Sequence, residues 1–121
     1  NVYSRAIKIN PGHSNSYMGR AVAYFSAGEF EKALKDYNKA IKIDPDDMNL
    51  YEDRAKTHAA LKDYKKALAD FRKAVSFEEG KKKAVLYYYM GEALMYLGRY
   101  KEAEKETLKA LKLKHNQIRE A

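Results

Sequence analysis

The side chains that could carry chemistry in this 121-residue sequence are its histidines and carboxylates. A metal site or an acid–base pair on a helix needs such groups three or four residues apart, but His13, His58 and His115 are scattered. Acidic neighbours such as Glu104 and Glu106 fall on a helix surface, without a nearby charge that would tune them for catalysis. No nucleotide-binding loop or nucleophile elbow is present. The sequence therefore predicts no catalytic residue, no metal and no cofactor, and we expect that the chain is not an enzyme.

Composition restricts the class of protein further. Cysteine is absent, so packing alone must hold the fold, and a reducing compartment fits. The net charge of +7 lies mostly in residues 61–121, which carry fifteen Lys and Arg against nine Asp and Glu. No apolar run reaches the roughly 20 residues of a membrane span, and no signal peptide is present. We expect a cytoplasmic protein without membrane contact and, because residue 1 is not Met and a helical pattern starts at once, a fragment of a longer protein.

The sequence repeats with a period of 34 residues. Shifting the chain by this length superimposes like residues, among them Tyr17 on Tyr51, Arg20 on Arg54, Ala33 on Ala67 and Asp36 on Asp70. A third copy follows at an offset of 36, with two extra residues near Gly80, where Glu79 stands in place of a proline. We therefore predict one array: the second helix of an incomplete repeat (1–11), three full repeats (14–47, 48–83 with the insertion, and 84–117) and the start of a truncated following element (118–121).

Each repeat reads as two helices, because apolar residues recur at helical spacing and Ala, Leu, Lys and Glu are frequent. Gly28 and Gly98 separate paired helices, where a residue with positive φ can close the first helix. Pro45 ends a second helix, and Asp47 offers an acceptor to the N–H groups of the next. The predicted helices are 14–27, 30–43, 48–61, 64–77, 84–97 and 100–113. With the helix in residues 1–11, the sequence predicts an all-α stack of about seven helices.

Small and aromatic residues indicate how these helices pack. Pairs of small residues should meet where the two helices of a repeat cross, since only a methyl group or less fits there. These pairs are Ala21 with Ala33, Ala55 with Ala67, and Gly91 with Ala103. Aromatic side chains should fill the space between crossings, each contributing roughly 1.5 to 3 kcal/mol when buried. They are Tyr3, Tyr17, Tyr24, Tyr37, Tyr51, Tyr64, Phe71, Tyr87 and Tyr100.

This spacing resembles the tetratricopeptide repeat. The residues of the first full repeat that match the family pattern are Tyr17, Ala21, Tyr24, Ala33, Tyr37, Ala40 and Pro45. Arg20 and Arg54 depart from it, since the family prefers leucine there, and His58 and Thr107 replace aromatic residues; we expect His58 to be a packing residue. The resemblance implies a right-handed superhelix, or α-solenoid, that serves as a protein-interaction scaffold.

The resemblance also implies a concave wall built from the first helix of each repeat. It places these residues on the wall: Asn15, Met18, Gly19, Val22, Phe25, Ser26, Asn49, Glu52, Asp53, Lys56, Ala59, Ala60, Val85, Tyr88, Tyr89, Glu92, Met95 and Tyr96. An aromatic cluster that helix crossings do not need is typical of a docking site. We therefore expect a partner peptide or helix with apolar anchors, and the wall carboxylates predict a basic residue in it.

Some members of the family grip the acidic C-terminal tails of heat-shock chaperones with a clamp of Lys, Asn and Arg. The residues at the clamp positions here are Met18, Val22, Asp53, Val85 and Tyr89, and none matches. We expect no binding of such tails.

Two alternatives stay open. Uncovered helix faces in residues 1–11 and around Leu108, Leu111 and Ile118 would allow self-association into a homo-oligomer. The basic second half, including 81–83, would allow RNA binding. Against RNA, the 34-residue period with Tyr and Pro markers favours the protein-binding family, and lysines outnumber arginines. We expect no nucleic-acid partner.

Overall fold

Seven α-helices follow one another with short turns, and no strand occurs among the residues described. The computed structural model describes residues 2–78 and 80–120, so Glu79 and the predicted array's residues 1 and 121 lie outside it. The helices are α1 (Val2–Ile9), α2 (Ser14–Ser26), α3 (Phe30–Ile43), α4 (Met48–Ala60), α5 (Tyr64–Phe77), α6 (Lys82–Tyr96) and α7 (Tyr100–Glu120). Each helix packs against the next along the chain, which confirms the all-α helical repeat.

Small residues lie at the crossings of the paired helices, as predicted. Ala21, Ala33, Ala55 and Ala67 are fully buried. At the third crossing Gly91 leaves no room, because a Cβ there would stand 2.5 Å from the Thr107 hydroxyl. Close approach of the two backbones therefore holds each hairpin together.

The turns between paired helices share one backbone conformation. Gly28 and Gly98 have φ of 77° and 75°, which confirms the role predicted for them. Lys62 takes the same position in the second repeat with φ 63°, although a side chain costs free energy in this region. Asp47 caps α4 by accepting a hydrogen bond from the backbone N–H of Asn49 at 3.0 Å, also as predicted.

Most of the predicted aromatic residues fill the core, but two do not. The buried ones are Tyr17, Tyr37, Tyr51 and Phe71, and Tyr24, Tyr64 and Tyr87 are half-buried. Tyr3 and Tyr100 are exposed, so their predicted burial is wrong. Tyr100 lies on α7, where no following helix of the described chain covers it, and Tyr3 lies on the first helix, α1.

Both ends of the third hairpin differ from the predicted boundaries. Helix α6 begins at Lys82 rather than near 84, so the two-residue insertion lengthens this helix instead of only widening the turn. Helix α7 continues to Glu120, whereas the sequence predicted an end near 113 and a new element at 118. No proline or glycine follows Gly98, and His115 stands where the first repeat has its helix-ending proline, so nothing interrupts α7.

Two ion pairs occupy equivalent positions in the first two repeats. Arg20 on α2 donates two hydrogen bonds to the carboxylate of Asp36 on α3, at 2.7 and 2.8 Å. Arg54 on α4 does the same to Asp70 on α5, at the same two distances. Both aspartates are buried, and each arginine is about one-fifth exposed. The arginines that depart from the family pattern are therefore held by a partner sixteen residues later.

The same arginines also reach the helix before them. Arg20 Nη1 donates to the Ser4 hydroxyl on α1, and Arg54 Nη1 donates to the Asn38 side-chain oxygen on α3. Each guanidinium thus joins three consecutive helices through hydrogen bonds of fixed direction. These contacts set the register in which one hairpin packs on the next.

The third repeat lacks this pair. Met90 stands where the arginine would be and is buried, and Glu106 stands where the aspartate would be. Among the described residues, Glu106 Oε2 is buried without a hydrogen-bond partner, while Oε1 lies 3.4 Å from Lys109 Nζ. Arg72, at the position of Asn38, instead lies 3.9 Å from Glu102.

Candidate functional site

The residues that the sequence assigned to the concave wall lie on α2, α4 and α6, and we call the surface that they form the groove face. Its most exposed apolar members are Val22, Val85, Tyr88, Met95 and Tyr96. Tyr96 is 69% exposed and Met95 is 54% exposed, both near the end of α6. A group of large exposed apolar side chains on one helix is typical of an interaction surface, and four of these five lie on α6.

Phe25 and Tyr89 of the groove face each contact an aromatic ring on α3 or α5. Phe25 meets Phe30 edge-on at 5.2 Å between ring centres. Tyr89 stacks on the buried Phe71 at 5.3 Å. These contacts fix the orientation of rings whose other surfaces face outward, so little side-chain entropy would be lost when a ligand binds.

Tyr96 makes a similar stack with Tyr64, at 4.4 Å and nearly parallel. Between this stack and Tyr89 lies an open cleft of about 170 Å³, the size of one large side chain. The cleft is lined by Lys56, Ala59, Tyr64, Phe71, Tyr89, Glu92, Ala93 and Tyr96. It joins α4 to α6, so the groove face continues from the second repeat into the third.

A charged cluster lies beside the cleft. Glu52 is buried, and its two carboxylate oxygens lie 3.4 Å from Lys82 Nζ and 3.7 Å from Lys56 Nζ. Lys82 also donates to the Asn49 side-chain oxygen at 3.4 Å, and Lys56 lies over the ring of Tyr89 at 5.3 Å. Glu52 is therefore balanced by two lysines and presents no free carboxylate on the groove face.

Asp53 and Glu92 differ from Glu52. Glu92 is exposed at the rim of the cleft. Burial raises the pKa of Asp53, and the neighbouring Glu52 raises it further, although Lys56 and Lys82 oppose this shift. Holding Asp53 ionised therefore costs free energy, which a cation placed beside it would offset.

The first repeat contributes less to the groove face. Asn15 and Val22 are exposed, and Met18 is half-buried against the core of the first hairpin. The ring of Tyr3 lies against Gly19, where a Cβ would overlap it. This contact covers part of Gly19, so α1 limits access to the groove face at this residue.

Lys82 and Tyr64 are residues of this region that the sequence analysis missed. Lys82 lies outside the family's repeat positions, and only the two-residue insertion indicated that α6 could begin two residues before the predicted start at 84. Tyr64 was predicted as core, but its ring also supports the exposed Tyr96. Within residues 2–78 and 80–120, no group of three His, Cys, Asp or Glu could hold a metal ion. None of the helices described there is long and apolar enough to cross a bilayer.

The repeats match known sequence profiles. Three tetratricopeptide repeat profiles match residues 14–47, 36–69 and 84–117, which together span most of the chain. The chain belongs to the tetratricopeptide repeat family. No curated protein sequence matches it significantly.

Several solved tetratricopeptide structures share this fold. The tetratricopeptide domain of Arabidopsis OM64 is 30% identical, with a TM-score of 0.75 over 83% of this chain and 81% of that one. YrrB, described as having an unusual peptide-binding site, is 27% identical, with a TM-score of 0.80 over 96% of this chain and 59% of that one. The first such domain of Spaghetti (RPAP3), solved with the HSP90 peptide SRMEEVD, is 26% identical, with a TM-score of 0.76 over 85% of this chain and 80% of that one.

Proposed function

We propose that this chain is a protein-interaction module that binds an extended or helical segment of a partner along the groove face. The observation that carries the proposal is the set of exposed apolar side chains on α2 and α6, with rings of α6 held by aromatic neighbours on α5. Peptide binding by YrrB and by the RPAP3 domain supports it, since both share the fold. The proposed role of these side chains is to bind the partner segment, and no catalytic step is assigned to them.

The partner segment carries apolar anchors and one basic residue. An aromatic or aliphatic side chain enters the cleft beside Tyr96, and a Lys or Arg of the partner lies near Asp53 and Glu92. The raised pKa of Asp53 supports this placement, because a cation there offsets the cost of keeping the carboxylate ionised. Acidic chaperone tails bind poorly, since Glu52 already balances Lys56 and Lys82.

A display library of random peptides, selected on the intact chain, tests the apolar part of this proposal. Tyr96→Ala should weaken the selected peptides at least tenfold, measured by fluorescence anisotropy, because it removes an exposed ring of the cleft. Tyr100→Ala is the matched control, since Tyr100 is a similarly exposed tyrosine on α7, away from the groove face. Equal affinities for the wild type and the Tyr96→Ala variant would reject the groove face as the binding site.

The charge preference needs a separate comparison. Glu92→Lys should weaken peptides that contain the basic residue and spare versions in which that residue is alanine, whereas Glu31→Lys on α3 should affect neither. The peptide SRMEEVD should bind at least tenfold more weakly than the selected peptides. Binding of SRMEEVD that matches or exceeds theirs would refute the basic-residue preference while leaving the groove face in place.

A further inference from the structure

Lys82 reaches from the start of α6 to α4, where it contacts a carboxylate of the groove face. Its Nζ lies 3.4 Å from Glu52 Oε1 and 3.4 Å from the side-chain oxygen of Asn49. Lys56 Nζ lies 3.7 Å from the other oxygen of Glu52. Two ammonium groups, one from each of two helices, therefore surround a single carboxylate.

The packing of the repeat does not require a carboxylate at position 52. The first and third repeats have Met18 and Tyr88 at the equivalent position. Glu52 is only 6% exposed, and burying an ion pair costs desolvation free energy that an apolar side chain avoids. An apolar residue would therefore suit the fold at least as well, so the pair of Glu52 with Lys82 indicates a role in binding.

The position of Lys82 is also unfavourable for α6 itself. Lys81, Lys82 and Lys83 lie together at the start of this helix, and its first turn contains no acidic residue. Positive charge at a helix N-terminus opposes the helix dipole. Helix α4, by contrast, begins with Asp47 as its cap. The charge of Lys82 therefore does not stabilise α6, and its side-chain contacts lie on the groove face.

We propose that Lys82 is a specificity-determining residue that limits a partner segment to one basic residue on the groove face. This inference rests on the proposed function. Together with Lys56, Lys82 neutralises Glu52. The carboxylates left to attract a cation of the partner are Asp53 and Glu92. A second Lys or Arg that approaches Glu52 meets two ammonium groups and is repelled.

Lys82, rather than Lys56, controls this selection. Lys56 lies on the same helix as Glu52 and also over the ring of Tyr89, so its loss would disturb the cleft as well. The side chain of Lys82 is 54% exposed and comes from the other helix. Its charge can be removed while Lys56 still pairs with Glu52, so the buried carboxylate remains compatible with the fold.

A lysine scan of a peptide selected on the intact chain tests the assignment. Each peptide position is replaced by lysine in turn, and fluorescence anisotropy gives the affinities. On Lys82→Met, lysine at one position should bind about fivefold more tightly than on the wild type, because Glu52 has lost one of its two cations. Lys81→Met is the matched control, since it removes the same charge from the same end of α6 but Lys81 lines the cavity between α6 and α7. Its scan should match that of the wild type.

Two further variants identify the acceptor and the role of the charge. Adding Glu52→Gln to Lys82→Met should abolish the gain, and Lys82→Arg, which keeps the charge, should give the scan of the wild type. Circular dichroism should show unchanged helical content in Lys82→Met, since this change also relieves an unfavourable charge at the start of α6.

The possible failures are distinguishable. Identical scans for Lys82→Met and Lys81→Met, or a gain that persists in the double variant, would overturn the role of Lys82, whereas the groove face would stand as long as Tyr96→Ala weakens binding. Selected peptides that bind equally well to the Tyr96→Ala variant would reject the groove face and, with it, this inference.

Discussion

The second and third repeats place different side chains at the equivalent positions where their two helices pack together. In the second, Arg54 makes two hydrogen bonds to the buried Asp70 and a third to Asn38. In the third, the equivalent residues are Met90 and Glu106, and one oxygen of Glu106 is buried without a partner. Both oxygens of Asp70 are paired, whereas only Oε1 of Glu106 is, at 3.4 Å from Lys109 Nζ. A buried polar atom without a hydrogen-bond partner costs free energy, so this position stabilises the second hairpin more than the third.

Copying the methionine of the third repeat into the second should have the largest effect. Arg54→Met leaves the Asp70 carboxylate buried without its guanidinium, and we expect a loss of about 3 kcal/mol in the free energy of unfolding. Urea denaturation followed by circular dichroism measures it. Arg72→Met is the matched control, because Arg72 is half exposed and its loss should cost less than about 0.5 kcal/mol. An equal loss in the free energy of unfolding for the two variants would mean that the buried Arg54–Asp70 pair contributes no more than an exposed one.

The opposite sign is expected at the equivalent position of the third repeat. Glu106→Leu removes an unpaired buried oxygen and should raise the free energy of unfolding by about 1 kcal/mol. Asp70→Leu, the same change one repeat earlier, should lower it, because Arg54 would lose its partner. If both substitutions destabilise the chain, Glu106 is satisfied in solution and the contrast between the repeats fails.

A smaller difference concerns His58, which stands where the third repeat has the buried Leu94. Burial lowers the pKa of His58 below its usual value of 6.5, although Asp70, 3.7 Å away, opposes this shift. The unfolded chain therefore binds a proton more readily, so the stability that His58 contributes is complete above pH 6.5 and is lost as the pH falls through the lowered pKa.

Replacing the imidazole of His58 by a leucine side chain should remove this dependence. The difference in stability between pH 7 and pH 5 should shrink by about 1 kcal/mol or less relative to the wild type, in thermal or urea denaturation at both values. His13→Asn, at an exposed position before α2, should leave the difference unchanged. A larger loss of stability at low pH in the His58→Leu variant than in the wild type would contradict the burial argument.

The features that were predictable from the sequence are those in which the backbone conformation or a close backbone approach restricts the residue type. The left-handed turns at Gly28 and Gly98 and the alanine crossings were predictable, because few residue types fit those positions. Lys62 was not, since nothing in a lysine signals positive φ; only its alignment with Gly28 does.

Side-chain pairing was harder to predict. Arg20 and Arg54 were noted as departures from the family pattern, yet both recur at 34 residues together with Asp36 and Asp70. That joint recurrence was the available signal for the ion pairs. The position of Lys82 had no such signal, because it depends on how the two-residue insertion is divided between a turn and the start of α6.

The hydrogen bond that each arginine donates to the preceding helix limits which hairpin can follow which in this array. Arg54 needs an acceptor on the preceding hairpin, and Asn38 supplies it. At the same place on α7 the chain presents Leu108, which accepts no hydrogen bond. If a copy of the second hairpin were grafted after α7, the guanidinium of its arginine would face the hydrocarbon side chain of Leu108 and find no acceptor there. The order of the hairpins in the array therefore cannot be changed without loss of this hydrogen bond.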